Sequence, residues 1–290
     1  MEFIIITPAK NEERYIENTV QAVLRQTVKP KKWVIVDDGS EDDTAGIVAR
    51  YIGKCDYLQI VKRDSRNEER WGGSKVVRAF YAGYDTIRDE SFDFIVKLDA
   101  DLTIPPNYFE EVIKCFEMNP RVGLCGGYCT VLAHGTYVNE CYAEDHVRGA
   151  FKAYRRDCFQ DIGGLKQIWS WDGIDESAIR FYGWDLKVLP LPVIHHRPTS
   201  KEYNLFRHSF KTGREMFKER VNLFSLIFIC LVNTPRKPAI VGSMLYMLGY
   251  LVSWLNREDK VIDKDLGDYI NKDRYNKVLG KLRRIGQRRC

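Results

Sequence analysis

The stretch FIVKLDADLTIPPNYFEEV, residues 94–112, contains an apolar run that stops at two aspartates, Asp99 and Asp101, and is followed by a pair of prolines. An apolar run bounded in this way predicts a buried strand, and the residues after the prolines predict a helix from 107. Because residues i and i+2 of a strand point to one face, both carboxylates are expected on the same side of the sheet. They could cap a turn, or they could bind a divalent cation through their oxygens.

Short apolar runs alternate with helical patterns over the first 130 residues. Strands and extended segments are expected at 2–7, 32–40, 57–63, 92–99 and 121–132, and helices at 17–27, 43–52, 73–87 and 107–118. This alternation indicates the α/β class, with a mostly parallel sheet covered by helices on both faces. Ligands of such sheets bind beyond the carboxyl ends of the strands. Polar clusters at 8–13, 37–40 and 99–101 follow three of the predicted strands at this edge.

The composition is that of a globular protein, with 44% hydrophobic and 29% charged residues in a chain of 290. The net charge of +5 is modest but uneven, because eight Lys and Arg residues and one acid lie between Lys272 and Arg289. A basic tail of this kind indicates contact with phosphates such as those of lipid headgroups, or a solvated end. No nucleic-acid-binding module accompanies it, so nucleic acid is not an expected partner.

The cysteines and the first residues predict the cellular setting. Eight cysteines are spread without the dense spacing of a disulfide scaffold, which predicts reduced thiols in the core. MEFIIITPAKNEE enters a strand directly, with no basic segment and no cleavage site before it. We therefore expect a domain that lies in the cytoplasm or faces it.

The C-terminal region, 201–290, differs in character from the predicted α/β domain at 1–200. Residues 223–232 are apolar or small, and the seventeen residues of 239–255 carry no charge. Ten residues are too few to span a bilayer, and seventeen are at the lower limit. The sequence predicts helices that dip into or lie on a membrane, with basic flanks that attract anionic headgroups. The alternatives are one helix that spans the membrane, and a helical hairpin that packs on the protein or serves oligomerisation.

The acids after the first two strands are candidates for nucleotide binding. Asp37 and Asp38 could accept hydrogen bonds from a base or from ribose hydroxyls, or could form an Asx turn before the next helix. Pro8 and Glu12 lie beside the start of the first helix, where phosphate is favoured, although an ordinary helix start would look the same.

A second group of acids occurs in SWDGIDESAIRFYGW, residues 170–184. The acids are Asp172, Asp175 and Glu176, and tryptophans 169, 171 and 184 surround them. Tryptophans offer a flat apolar face to sugars, and they raise the pKa of a nearby carboxylate by excluding water. Such a carboxylate is suited to act as a general base.

Four segments together resemble the family 2 glycosyltransferases of the GT-A fold, over about residues 2–197. The segments are IITPAKNEERYIENTVQAVLRQT, WVIVDDGSEDDT, FIVKLDADL and WDGIDESAIRFYGW. The resemblance implies a Rossmann-like, mostly parallel sheet flanked by helices. It also implies transfer of a sugar from a nucleotide donor, with inversion at the anomeric carbon and with Mg²⁺ or Mn²⁺ at the Asp-X-Asp motif.

The resemblance assigns roles to single residues. It places Pro8, Glu12 and Asp37 or Asp38 at the nucleoside, Asp99 and Asp101 at the diphosphate and metal, and Asp175 as the general base. Ile174 stands where the family usually has a glutamate, which leaves Glu176 as a rival base.

Other candidates come from the basic and glycine-bearing segments. His195 or His196 could complete the metal site, and Arg197 could neutralise phosphate. Lys75 or Arg78, after Gly72 and Gly73, could contact the donor. On the acceptor side, the candidates are Trp171, Glu176 and Arg148, the last within a basic cluster that could equally be a solvated face.

The sequence thus predicts a metal-dependent glycosyltransferase that adds one sugar, from a UDP-sugar or less favourably a GDP-sugar, to a glycan or polyprenyl-linked acceptor. We expect it at the cytoplasmic face of a membrane, as a peripheral or monotopic protein and a possible homo-oligomer. A sugar-1-phosphate nucleotidyltransferase is disfavoured because the loop after the first strand, TPAKNEER, lacks glycine. A non-catalytic nucleotide-sugar-binding scaffold is disfavoured by the intact acids.

Overall fold

The computed structural model describes residues 1–65, 72–133, 135–141, 145–197, 205–233 and 239–287. The chain divides into two compact units. Unit 1 consists of 1–167 and 171–199, and unit 2 consists of 168–170 and 200–290.

Unit 1 alternates strands and helices as the sequence predicts. Its strands are β1 (Phe3–Ala9), β2 (Lys32–Asp37), β3 (Leu58–Lys62), β4 (Phe94–Leu98), β5 (Leu102–Thr103), β6 (Val122–Ala133), β7 (Thr136–Cys141), β8 (Phe151–Arg155) and β9 (Asp185–His195). Its helices are α1 (Ile16–Leu24), α2 (Thr44–Ala49), α3 (Gly72–Tyr84), α4 (Tyr108–Met118), α5 (Arg156–Asp161) and α6 (Trp171–Phe181).

The strands form a single mixed sheet in the order β3-β2-β1-β4-β8-β6-β9-β5, with β7 paired to β6. β1 to β4 are parallel, and their residues are mostly buried, as expected for strands covered on both faces. The expectation of a mostly parallel sheet holds for this part. Beyond β4, the pairings with β8, β7 and β5 are antiparallel, whereas β6 and β9 are parallel.

Asp99 and Asp101 lie in a turn between β4 and β5, and not on one face of a strand as the sequence analysis expected. The chain leaves β4 after Leu98, with the Asp99 amide still donating to the Ala150 carbonyl at 2.7 Å. It then pairs as β5 with β9, so that Leu102 lies opposite His195. This return brings the acid turn to the end of β9.

Unit 2 contains four helices among the described residues: α7 (Leu205–Lys218), α8 (Leu223–Asn233), α9 (Ala239–Leu255) and α10 (Lys264–Gln287). Val221, Leu226 and Cys230 form a small core against which Tyr246 and Tyr250 pack. Within the described ranges, none of the helices combines the length and the apolar character needed to cross a membrane. The apolar side chains of α8 and α9 include many that are exposed, such as Phe224, Met244 and Trp254.

Candidate active site

A cavity of about 420 Å³ lies at the carboxyl ends of β1, β2 and β4, beside the end of β9. Eight predicted site residues line it: Pro8, Glu12, Asp38, Lys75, Asp99, Asp101, His195 and Arg197. In the sequence these residues are spread from Pro8 to Arg197. The fold therefore brings most of the predicted donor and metal residues to one place, which a set of unrelated turn acids would not do.

The loops after β1 and β2 are tied to each other, and this fixes Glu12 at the cavity. Asn11 adopts a left-handed backbone conformation with φ of 55°. Its amide donates to Ser40 Oγ at 3.0 Å, and its side-chain oxygen accepts from the Glu41 amide at 2.8 Å. The Glu12 amide donates to Thr44 Oγ1 at 2.7 Å.

Asp101 and His195 form the centre of the cavity wall. Their atoms Oδ2 and Nε2 are 3.2 Å apart, and the Asp101 side chain is only 9% exposed. Burial would lower the pKa of His195, but the hydrogen bond to Asp101, a contact with Cys129 and the charges of Asp101 and Asp99 raise it to about 10. This environment therefore favours the protonated, imidazolium form of His195.

Arg197 joins a second acid to this centre. It donates to Glu12 Oε2, and its Nε lies 4.0 Å from Asp101 Oδ2. Burial, followed by the negative charge of Asp101, raises the pKa of Glu12 to about 8, although Arg197 opposes the shift. The wall thus carries several acids close together, an arrangement that favours a bound cation or hydrogen-bond donors from a ligand.

The structure distinguishes the two histidines. His196 turns away from the Asp101 carboxylate, because its Nε2 lies 2.8 Å from Thr103 Oγ1 and its ring stacks on Tyr15. Burial lowers the pKa of His196. His195 is therefore the histidine placed beside a predicted metal ligand.

A divalent cation fits this donor set only in part. Within the described ranges, no three His, Cys, Asp or Glu side chains are placed to hold a metal together. Asp101 and His195 supply one hard oxygen and one imidazole nitrogen at the cavity wall, both of which suit Mn²⁺ or Mg²⁺. Asp99 also lines the cavity, but it is bound by the ammonium group of Lys97.

The two acids after β2 have different partners. Asp37 Oδ1 accepts from the Ser40 amide at 2.9 Å, which is the turn contact considered in the sequence analysis. Asp38 lines the cavity and is paired with Arg63. Lys10 donates to the Asp38 carbonyl at 3.0 Å. Of these two acids, Asp38 is therefore the one at the cavity.

Asp175, the predicted base, is buried away from the cavity lining. Its side chain is 1% exposed, and Lys152 Nζ lies 2.9 Å from both of its oxygens. Tyr154 donates to Oδ2 as well. A general base must reach the hydroxyl from which it takes a proton. In this structure the Asp175 carboxylate contacts Lys152 and Tyr154, and its role as the base stays a prediction.

The remaining acceptor-side candidates are also largely enclosed. Glu176 is buried and accepts from the Val147 amide at 3.0 Å, and Trp171 is 4% exposed, so their acceptor-side roles stay predictions. Arg148 is half-buried in the segment before β8. Asp172, in the first turn of α6, is the partly exposed acid of the three on this helix.

The glycine-bearing segment is described only from Gly72, where α3 begins; residues 66–71 lie outside the described ranges. Lys75 of α3 lines the cavity, whereas Arg78 is not among the lining residues.

Sequence reasoning missed two buried lysines, Lys97 and Lys152, which bind Asp99 and Asp175. A signal was present: each lysine stands inside a short apolar run, FIVKL and FKAYR. A lysine is almost never buried without a partner, so a lysine in an apolar run indicates that an acid lies nearby in the fold.

Residues 4–137 match the family model described as glycosyl transferase family 2. Among curated proteins, the poly-beta-1,6-N-acetyl-D-glucosamine synthases of Staphylococcus aureus (strain COL) and Staphylococcus epidermidis are 21% and 20% identical to this chain over 205 and 204 residues. Each alignment covers 62% of this chain and 46% of the relative. The chain thus spans about half the length of the curated relatives it matches.

Two solved structures resemble this chain in fold. TarS 1-349 of S. aureus, in complex with UDP-GlcNAc, has a TM-score of 0.58 at 18% identity and covers 77% of this chain and 67% of its own. The mannosyltransferase PcManGT from Pyrobaculum calidifontis, in complex with GDP-Man and Mn²⁺, has a TM-score of 0.53 at 16% identity. The match covers 94% of this chain and 79% of PcManGT. At these identities the likeness shows the fold: a mixed α/β sheet with flanking helices, shared with GT-A glycosyltransferases.

Proposed function

We propose, from the match of residues 4–137 to the glycosyl transferase family 2 model, that the chain moves one sugar from a nucleotide-sugar donor to a glycan or lipid-linked acceptor, with inversion. The observation that carries the proposal is the cavity of about 420 Å³, lined by eight residues that the motifs single out. A scaffold or a nucleotidyltransferase has no comparable support.

The donor would lie along the cavity from β2 to β9. Asp38 and Glu12 would accept hydrogen bonds from the base and the ribose, with Pro8 beside them. Lys75 and Arg197 would neutralise the diphosphate. A UDP-sugar is the favoured donor because TarS was solved with UDP-GlcNAc, and a GDP-sugar is the alternative because PcManGT was solved with GDP-Man.

Asp101 and His195 would hold the divalent cation, with Asp99 beside them. When bound, the cation would neutralise charge on the departing diphosphate. To make room for it, His195 would have to release the proton that its contact with Asp101 stabilises, because a metal binds neutral imidazole. Donor phosphates would complete a coordination shell for which the chain supplies few ligands.

Asp172 is the acid that we assign to acceptor activation. An inverting displacement needs one base on the side opposite the leaving diphosphate. Asp175 and Glu176 are enclosed by Lys152 and their neighbours, whereas Asp172 is partly exposed. The Lys152 ammonium donates to the Asp172 carbonyl at 2.6 Å and so fixes the turn that carries this carboxylate.

Unit 2 supports a proposal about location. The helices α8 and α9 border a groove of about 780 Å³ whose lining is almost wholly apolar. Exposed apolar side chains, such as those of Leu223, Met244 and Trp254, surround this groove. We place this face on the cytoplasmic surface of a membrane, as a peripheral or monotopic contact that would bring the enzyme to a lipid-linked acceptor; a homo-oligomer is the competing use.

A thermal-shift screen of nucleotide sugars tests the proposed function before any acceptor is known. A ligand that binds the folded state raises the unfolding temperature by mass action. We expect a UDP-sugar or GDP-sugar to stabilise the chain in the presence of Mn²⁺, and less so in EDTA. Equal stabilisation by nucleoside triphosphates with pyrophosphate release would instead favour a nucleotidyltransferase.

A further inference from the structure

Two lysines face each other across β4 and β8. Lys97 and Lys152 are register partners in this antiparallel pair, so their side chains leave the sheet on the same face. Their side chains are 2% and 0% exposed. Like charges placed directly opposite each other are unfavourable, and buried ones more so, unless acids compensate them.

Each lysine has an acid of its own. Lys97 is bound to Asp99, and its Nζ also donates to the Gly149 carbonyl at 2.7 Å. Lys152 Nζ lies 2.9 Å from both oxygens of Asp175, 3.2 Å from Glu176 Oε1 and 2.6 Å from the Asp172 carbonyl. Burial would lower the pKa of Lys152, but the neighbouring carboxylates raise it.

The ring of Trp171 lies near both ammonium groups. Its ring lies 5.2 Å from Lys97 Nζ and 5.5 Å from Lys152 Nζ, distances at which cation–π attraction operates. Gly149 leaves room for this ring, since a Cβ at that position would meet Trp171 Cζ2 at 2.9 Å and Asp172 Cβ at 3.0 Å. The acid turn after β4 and the first turn of α6 are thereby fixed to the same pair of lysines.

We propose that Lys97 and Lys152 are positioning residues that set the spacing between the two halves of the active site. Lys97 holds the Asp99 carboxylate at the cavity wall where the donor diphosphate would bind. Lys152 holds the first turn of α6, and with it Asp172, on the acceptor side. The inference rests on the proposed function, because the two halves are named by the reaction.

The two lysines should act on different steps, and this separates positioning from simple stabilisation. Loss of Lys97 releases Asp99, so we expect the dissociation constant for UDP or GDP with Mn²⁺ to rise about 10- to 100-fold, as for other residues that orient ligands. Loss of Lys152 frees the turn of Asp172, so we expect kcat to fall by about the same factor while nucleotide binding changes little.

The test compares Lys97→Met and Lys152→Met with the wild type by titration calorimetry with UDP and GDP in Mn²⁺, and by kcat and KM for the donor. Lys187→Met, which removes an exposed lysine from β9, is the matched control. If a methionine variant does not fold, Lys97→Gln and Lys152→Gln take its place, because glutamine keeps an N–H donor and removes the positive charge.

Separate losses, in binding for Lys97 and in kcat for Lys152, support the proposal. It is overturned if folded variants bind and turn over like the control, or if both lose binding and kcat in proportion to their unfolded fraction. A wild type that binds neither nucleotide overturns the proposed function and this inference together, whereas unchanged variants of a binding wild type overturn this inference alone.

Discussion

Asp172 and Asp175 lie one helical turn apart on α6, yet they have opposite environments. The sequence places three acids in this segment without indicating which of them meets a buried lysine. The resemblance favoured Asp175 as the base, but in the structure both of its oxygens are bound by Lys152. Acids at strand ends were predictable because the sheet gathers them at one edge, whereas the orientation of an acid on a helix depends on a partner 23 residues earlier.

Two asparagine variants separate these roles. Asp172→Asn should fold normally and lose about 100-fold or more in kcat, the contribution expected of a general base. Asp175→Asn should lower the free energy of unfolding by about 3–5 kcal/mol, because Lys152 would remain buried without its carboxylate. Urea unfolding and donor turnover of both variants provide the measurement. Full activity in Asp172→Asn, with an inactive but stable Asp175→Asn, would restore Asp175 as the base.

Glu12 gives a prediction about pH. Its pKa is raised from 4.5 to about 8, chiefly by burial, so the folded chain keeps a proton there that the unfolded chain releases. The stability linked to this proton is fully present below pH 4.5 and is lost as the pH rises towards 8. In EDTA, the stability of the wild type relative to Glu12→Gln should therefore decline between pH 5 and 8. If the difference in free energy of unfolding between the wild type and Glu12→Gln stays constant or grows with pH, the raised pKa of Glu12 is contradicted.

At the scale of elements, the sequence predicted β1 to β4 and the helices between them because buried parallel strands are continuous apolar runs. It did not predict β5, which has two residues, or the antiparallel insertion of β8 between β4 and β6. Neither depends on local periodicity, since both are set by pairing with distant strands. This pairing is what brings Asp101 to His195.

The pairing of β6 with β9 requires a glycine. A Cβ on Gly127 would lie 2.2 Å from the Leu191 carbonyl oxygen, so Gly127→Ala should push the strands apart and lower the free energy of unfolding by about 1–3 kcal/mol. The matched control is Gly173→Ala on α6, where no atom lies within 4 Å and helix propensity favours alanine. If both substitutions change the free energy of unfolding equally, the close approach of Gly127 to Leu191 does not require a glycine.

At the scale of the whole molecule, the chain combines an α/β unit that carries the cavity with a helical unit that carries an apolar face. In unit 2, α7 and α9 approach closely at two glycines: a Cβ on Gly213 would lie 2.0 Å from the Tyr246 carbonyl oxygen, and one on Gly249 would lie 2.0 Å from that of Phe210. The sequence predicted the apolar segments but not this helix contact, because a glycine in a helix has no periodic signature.

Vesicle co-sedimentation tests the use of the apolar face. We expect the wild type to bind vesicles that contain anionic lipid, and Met244→Glu/Leu248→Glu to bind them weakly, because both side chains are exposed and border the α8–α9 groove. Met118→Glu is the control, since Met118 is an exposed methionine on α4 of unit 1. Equal binding by all three proteins, or a wild type that self-associates without binding vesicles, would favour another role for this face.

We propose that the residues of the cavity support sugar transfer from a nucleotide donor and that Asp101 is required for it. The most direct measurement is nucleoside diphosphate release from the stabilising donor in Mn²⁺, compared between the wild type, Asp101→Ala and Asp185→Ala. Asp185 is an exposed acid at the start of β9 and serves as the control. We expect release by the wild type and by Asp185→Ala, and a loss of about 100-fold in a folded Asp101→Ala. Undiminished release by Asp101→Ala would contradict it.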